Sequence, residues 1–298
     1  MEKLLMIVNP KSGRAKIRGE LLAVTEILSR DYDVSVYITK CRGDATDRVK
    51  HIKKDEFSLL VICGGDGTLN EVVHGLMDSK LDIKVGYIPS GTLNEWSASL
   101  GISKNIRKAA EDILTGKETT IDVGKFGNRY FCYTASFGAF TNASYLTNQD
   151  IKNVLGQAAY FFEGIKGITN IKPLKLKFEA NGNVYDDEYV FGAISNSFSV
   201  GGIVKFQKAL VELDDGAFEV VLIKNPRNLA QLQKIIDSIL KKDLKREEIE
   251  FFHTSQITIH GSKDIPWTLD GEYCKGKNKI VVENLHSVLR IIVPNDDI

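Results

Sequence analysis

Residues 59–75 read LLVICGGDGTLNEVVHG: an apolar run stops at Gly64 and Gly65, Asp66, Gly67 and Thr68 follow, and Leu69 and Asn70 open a helical pattern. The chemistry suited to this composition is phosphate binding. Glycine lets the backbone turn tightly and present N–H groups to a ligand, and the first turn of the helix adds unpaired donors and a positive dipole end. A tight turn without function accounts for one glycine pair, but poorly for three glycines framing an aspartate. A carboxylate there repels phosphate unless a cation lies between them, so Asp66 reads as a residue that meets phosphate through Mg²⁺. Neither G-x-x-x-x-G-K-[ST] nor G-x-G-x-x-G occurs in the chain. Two further segments share the texture: Asn9, Pro10, Lys11, Ser12 and Gly13 follow LLMIV, and Ser90, Gly91 and Thr92 follow KVGYIP. Each alone says little; together they point to one composite nucleotide-phosphate site.

These loops need elements to hold them. Up to about residue 122, short apolar strands alternate with amphipathic helices, which implies a parallel sheet flanked by helices. Ligands of such sheets bind beyond the carboxyl ends of the strands, where the three loops fall. In IRGELLAVTEILSR the helical stripe is Leu21, Leu22, Val24, Thr25 and Leu28; in SKNIRKAAEDILTG, Ser103 reads as the cap and Gly116 as the stop. From about residue 123 the pattern becomes a mainly antiparallel β domain, with hairpin signals at Gly127-Asn128 and Asn181-Gly182 and two interrupting helices. The domains expected are therefore 1–122 and 123–298, with the extreme C-terminus packing back on the first.

Composition narrows the function. The 298 residues carry 39 basic and 39 acidic side chains; cutting at Asp122 leaves 18 of each sign before the cut and 21 of each after it. Neither part is a polyelectrolyte partner, which argues against nucleic acid. The four scattered cysteines lack a C-x-x-C pair, and the first apolar run is too short for a signal peptide, so a reduced, cytoplasmic protein without a membrane span is expected. The five histidines lack zinc-ligand spacing and G-x-S-x-G is absent. The run KKDLKREEIE reads as a solvated helix end, and Tyr160, Phe161, Phe162 and Ile165 as helix core in preference to lipid contact.

NPKSG, GGDGTLNEVVHG, PSGTLNEWSASLGI, ELDDGAF and LDGE, in this order and spacing along essentially the whole chain, resemble the diacylglycerol kinase catalytic family of bacterial soluble lipid kinases, to which sphingosine and ceramide kinases are more distantly related. The resemblance implies an α/β domain like that of NAD kinases and phosphofructokinases, a β-sandwich second domain and an active-site cleft between them. It implies ATP at Asn9 to Gly13, at Thr39, at Gly64 to Asn70 and at Thr92. It makes Glu272 the general base for a hydroxyl of diacylglycerol or a similar lipid, with Asp66 as a catalytic partner through Mg²⁺. It implies a structural Mg²⁺ site at Glu212, Asp215 and the Ala217 backbone, a lipid substrate taken at the inner face of the membrane, and suggests a homodimer. From the residues alone, LDDG is equally a β-turn, and Glu272 a polar hairpin residue. Relatives commonly read G-T-x-N-D-F-A-R where this chain has Gly91-Thr92-Leu93-Asn94-Glu95-Trp96-Ser97-Ala98. That departure keeps open a nucleotide-binding regulator without transfer activity, and the shared GGDG keeps open an NAD kinase.

Overall fold

The computed structural model describes residues 1–92, 94–138, 173–200, 204–244 and 246–295; Leu93 and the aromatic stretch at Tyr160, Phe161, Phe162 and Ile165 lie outside the described residues. Two compact units divide the chain, one of Met1–Val123 with His286–Ile298, the other of Gly124–Leu285.

Unit 1 is an α/β layer structure. Its strands are β1 (Glu2–Val8), β2 (Tyr32–Ile38), β3 (Leu59–Gly64) and β4 (Lys84–Pro89), its helices α1 (Lys16–Leu28), α2 (Asp44–Lys50), α3 (Asp66–Ser79), α4 (Glu95–Ser99) and α5 (Ile106–Thr115). The four strands are parallel in the order β4-β3-β1-β2. Every residue of β3 is buried, as an uninterrupted apolar run between two helix layers requires. At the sheet edge, β2 leaves Val36 and Ile38 exposed.

Two sequence expectations shift by small amounts. On α1 the buried face is Ile17, Val24, Ile27 and Leu28, while Leu22 is 73% exposed. The buried face shares Val24 and Leu28 with the expected stripe, adds Ile17 and Ile27, and leaves Leu21 and Thr25 half-buried, because five apolar or near-apolar residues within eight exceed what one face holds. The cap of α5 is Asn105, not Ser103. The Asn105 side-chain oxygen Oδ1 accepts the N–H groups of Arg107 and Lys108, and Ser103 Oγ, two residues earlier, accepts the Asn105 N–H. Asparagine at that position reaches two orphan donors, so it displaces the serine. Gly116 ends the helix as expected.

Unit 2 is antiparallel. Its strands are β5 (Lys117–Phe126), β6 (Arg129–Phe131), β7 (Thr134–Gly138), β8 (Leu174–Ala180), β9 (Asn183–Ser195), β10 (Ser199–Val200), β11 (Val204–Lys205), β12 (Phe218–Lys224), β13 (Ile249–Thr254), β14 (Gln256–His260), β15 (Pro266–Leu269), β16 (Glu272–Lys275) and β17 (Lys279–Val293). The first residues of β5 and the last of β17 belong to unit 1. The order β16-β15-β7-β9-β8-β14-β17 is followed throughout by antiparallel pairs, with β12 joining β9 to β13. Both expected hairpin turns form: Phe126 pairs with Arg129 and Ala180 with Asn183, and Asn181 and Gly182 both take positive φ. The core is aromatic. Trp267 packs against Phe137 at 4.8 Å and Phe126 at 4.9 Å between ring centroids, contacts worth about 0.5–1.5 kcal/mol each beyond area burial. Among the described residues, no helix is long and apolar enough to cross a membrane.

Candidate active site

The strand order of unit 1 fixes where a ligand can sit. From β1 the chain moves outward to β2, then returns to the other side of β1 for β3. The crevice between the carboxyl ends of β1 and β3 is therefore the topological switch point. Both glycine-rich loops open there. The Asn9 N–H donates to the Cys63 carbonyl at 2.9 Å, and Asn9 Nδ2 donates to Thr68 Oγ1 at 2.9 Å. Asn9 Oδ1 accepts the Lys11 N–H, turning the first loop upward, and Ser12 is buried beside it. The loop after β4 closes the group, with the Ser90 N–H on the Gly64 carbonyl at 2.8 Å. The three loops touch through backbone. Gly13, at φ +51°, leaves no room for a Cβ against the Ser90 carbonyl, and a Cβ on Gly91 would lie 2.5 Å from Gly65 Cα. Any side chain at these positions would separate the loops, which is why glycines occupy them. Thr39 continues from the end of β2, where its N–H donates to the Val8 carbonyl at 2.9 Å. Thus Asn9 to Gly13, Thr39, Gly64 to Asn70 and Thr92 share one end of one sheet, with Thr92 exposed.

Asp66 is the first residue of α3. Its Oδ2 accepts the Glu95 N–H at 3.2 Å, holding the start of α4 against the second loop. Oδ1 is buried without a hydrogen-bond partner. Burial pushes the Asp66 carboxyl above its ordinary value, against the opposing pull of the backbone N–H groups at Glu95, Trp96 and Asn94 and of the Lys104 charge. A buried acceptor with no donor is costly on its own and matches the donor set that a hard cation takes. Asn94, at φ +51°, ties its loop back on itself through Gly91, and Trp96 is fully buried near Tyr87. The unusual Trp96 is therefore core, whereas Ala98 is exposed.

In unit 2 the LDGE segment is the turn between β15 and β16. Asp270 and Gly271, both at positive φ, form the turn, and Glu272 pairs with Leu269. Asp270 is 4% exposed, and its carboxylate accepts three backbone N–H groups: Cys132 at 2.6 Å, Tyr133 at 3.0 Å and Thr134 at 3.1 Å. Glu272 is half-buried, with Oε2 3.9 Å from Arg129 Nη2, and Arg129 Nη1 donates to the Tyr273 carbonyl at 3.1 Å. Sequence reading passed over Asp270 and Arg129. An aspartate before glycine in a hairpin is ordinary turn chemistry, and only the paired strand reveals what its side chain holds.

Glu212 and Asp215 are exposed, and Asp215 Oδ1 accepts the Ala217 N–H at 2.9 Å. That Asx turn, with Gly216 at positive φ, shapes the segment. Among the described residues, no three His, Cys, Asp or Glu side chains cluster as a metal-ligand set.

Comparison with known proteins places this architecture. The family model described as the diacylglycerol kinase catalytic domain matches residues 3–126, and that described as the YegS C-terminal NAD kinase beta sandwich-like domain matches residues 134–293. The diacylglycerol kinases of Staphylococcus aureus strains MRSA252 and JH9 are each 32% identical over 293 residues, spanning 98% of this chain and 92% of theirs. A solved structure of a diacylglycerol kinase from Bacillus anthracis str. Sterne superimposes with a TM-score of 0.75 at 25% identity, covering 98% of this chain and 97% of that one. An α/β unit followed by an antiparallel β-sandwich is the arrangement expected from the sequence. Matched along nearly its whole length by both family models and by these relatives, the chain belongs to the diacylglycerol kinase family.

Proposed function

We propose that this protein is an ATP- and Mg²⁺-dependent lipid kinase that transfers the γ-phosphate of ATP to a hydroxyl of diacylglycerol or a similar lipid. The observation that carries the proposal is the meeting of three loops at the switch point around an Asp66 oxygen that has no donor. Phosphoryl transfer asks a protein for alignment and charge neutralisation more than for covalent chemistry. The loops that begin at Asn9, Gly64 and Ser90 supply N–H donors and hydroxyls for the phosphates, and the α3 N-terminus adds its dipole. Asp66 would hold Mg²⁺, which supplies neutralisation of the phosphate charge when bound. Glu272 accepts the proton of the lipid hydroxyl as its oxygen bonds to the γ-phosphorus; the bond from that phosphorus to the bridging oxygen breaks and leaves ADP. Asp270 fixes the turn that carries Glu272, and Arg129 holds its carboxylate from the side. The protein works from the cytoplasm on lipid at the membrane surface, as a homodimer. Glu212, Asp215 and the Ala217 carbonyl are the proposed structural Mg²⁺ ligands, which metal analysis of the purified protein and of Asp215→Ala tests directly.

The deciding experiment incubates the protein with labelled ATP, Mg²⁺ and mixed micelles containing a panel of lipid alcohols, beside NAD as a separate acceptor. Labelled phospholipid made by the wild type and lost in Glu272→Gln and Asp66→Ala supports the proposal. Phosphorylated NAD would replace the acceptor, and ATP binding without product on any acceptor would replace catalysis with regulation.

A further inference from the structure

Glu71 is a carboxylate on α3 in the turn beyond the glycine-rich loop, where a second negative charge would oppose an anion. The structure turns it away. Its Oε1 accepts the Gly43 N–H at 2.8 Å, its Oε2 the Ala45 N–H at 3.3 Å, and its own carbonyl the Thr46 hydroxyl at 2.7 Å. One turn further on, Gly75 admits α2: a Cβ there would lie 2.7 Å from Val49 Cβ and 2.9 Å from the Thr46 carbonyl. The segment NEVVHG therefore docks α2 on α3 with one carboxylate and one absent side chain. What α2 carries at its start is the loop of residues 39–43. Asp44 secures the other flank of that loop, accepting the Tyr37 hydroxyl and the Lys40 N–H, each at 2.7 Å.

The position of that loop on the sheet gives it a task. It leaves β2, two strands from β3, so it lies roughly 10 Å from the phosphate-facing loop at a strand spacing of about 4.8 Å. A nucleoside triphosphate spans such a distance between its terminal phosphates and its sugar. We infer that Glu71 is a positioning residue for the nucleoside end of the nucleotide: it holds residues 39–43 at the height and angle at which Thr39 meets the sugar or base. The inference rests on the nucleotide reading of unit 1.

The test separates the two ends of the ligand. Calorimetry in Mg²⁺ measures binding of ATP and of inorganic tripolyphosphate to the wild type, Glu71→Gln and Glu71→Ala, with KM and kcat for ATP alongside. Asp78→Asn is the control, since it removes a second α2–α3 contact, Lys50 to Asp78 at 2.7 Å, without touching the loop. Glu71→Ala is expected to weaken ATP about tenfold through KM while tripolyphosphate stays within twofold and kcat within threefold. Glu71→Gln keeps one acceptor and falls between, and amide exchange at Gly43 and Ala45 accelerates in both variants. Equal loss of ATP and tripolyphosphate would make Glu71 a support of the phosphate loops and overturn the inference, as would unchanged ATP binding in a folded variant. Should Glu71→Ala not fold, the same pattern at about threefold in Glu71→Gln decides. A wild type that binds neither ligand sinks the nucleotide reading itself, and Glu71 with it.

Discussion

Replacing Asp270 by alanine isolates what the LDGE turn contributes. The substitution removes an acceptor from three buried backbone donors, at Cys132, Tyr133 and Thr134. Each orphaned donor costs about 1–3 kcal/mol, and water entering the space left by the carboxylate recovers part of that, so about 3–5 kcal/mol is expected. Asp270→Asn keeps an oxygen for Tyr133 and Thr134 but turns an NH₂ toward the Cys132 N–H, and should lose about 1–2 kcal/mol. The chain has two tryptophans, Trp96 in unit 1 and Trp267 in unit 2, both buried. In a Trp96→Phe background, Trp267 fluorescence reports the unfolding of unit 2 alone. With a urea slope of about 2–3 kcal/mol/M for a unit of this size, the midpoint should fall by about 1–2 M for alanine and by roughly a third of that for asparagine. A shift below about 0.3 M for Asp270→Ala, or asparagine falling further than alanine, would refute the account of this carboxylate as a backbone clamp.

Other expectations are equally direct. Burial raises the folded pKa of Asp66 above its unfolded value, so its contribution to stability is most favourable below the unfolded pKa and is lost as pH rises through the folded one. Asp66→Asn should therefore unfold at a higher temperature than the wild type at pH 7, converge with it as the pH falls into the ordinary carboxylate range, and transfer no phosphate; calorimetry across pH checks the crossover. Gly91→Ala should push the second and third loops apart and weaken ATP at least tenfold, measured by calorimetry, with the Trp267 transition unmoved. Asn9→Ala removes the bond to Thr68 and should raise the KM for ATP about fivefold, the equivalent of about 1 kcal/mol. Chelation of Mg²⁺ should abolish transfer and return it on adding the ion back.

How far the sequence could be read depended on the distance over which its signals act. The parallel unit was legible because β1, β3 and β4 are apolar runs alternating with helical patterns, and β3 is buried along its whole length. Glycine-rich loops at strand ends were legible too, since a parallel sheet leaves few other places for them. What escaped were side chains whose partners are remote in sequence. Asp270 meets residues more than 130 positions earlier, and Glu71 meets Gly43 28 positions earlier. Both carboxylates sit inside segments that invite a chemical role, yet both hold backbone. Local pattern gives the type of an element but not the object of a hydrogen bond. The misplaced cap at α5 has the same origin on a smaller scale, as Ser103 and Asn105 are both capping residues and only the backbone path chooses between them.

The last strand has a bearing on how the chain is made. The end of β17 pairs in parallel with β4, Ile291 against Val85, and its Ser287 N–H is held by Asp122 Oδ1 at 2.7 Å. Unit 1 thus waits for residues translated long after its other strands. At about 5–20 residues per second, the nascent polypeptide spends roughly 10–40 s between emergence of α5 and of β17. Throughout that interval one margin of β4 carries unsatisfied N–H and C=O groups beside buried apolar side chains. Such a margin is a template for pairing with a neighbouring chain. Synthesis on crowded ribosomes, or any truncation that removes the final strand, would therefore reveal itself as aggregation before it showed as lost activity.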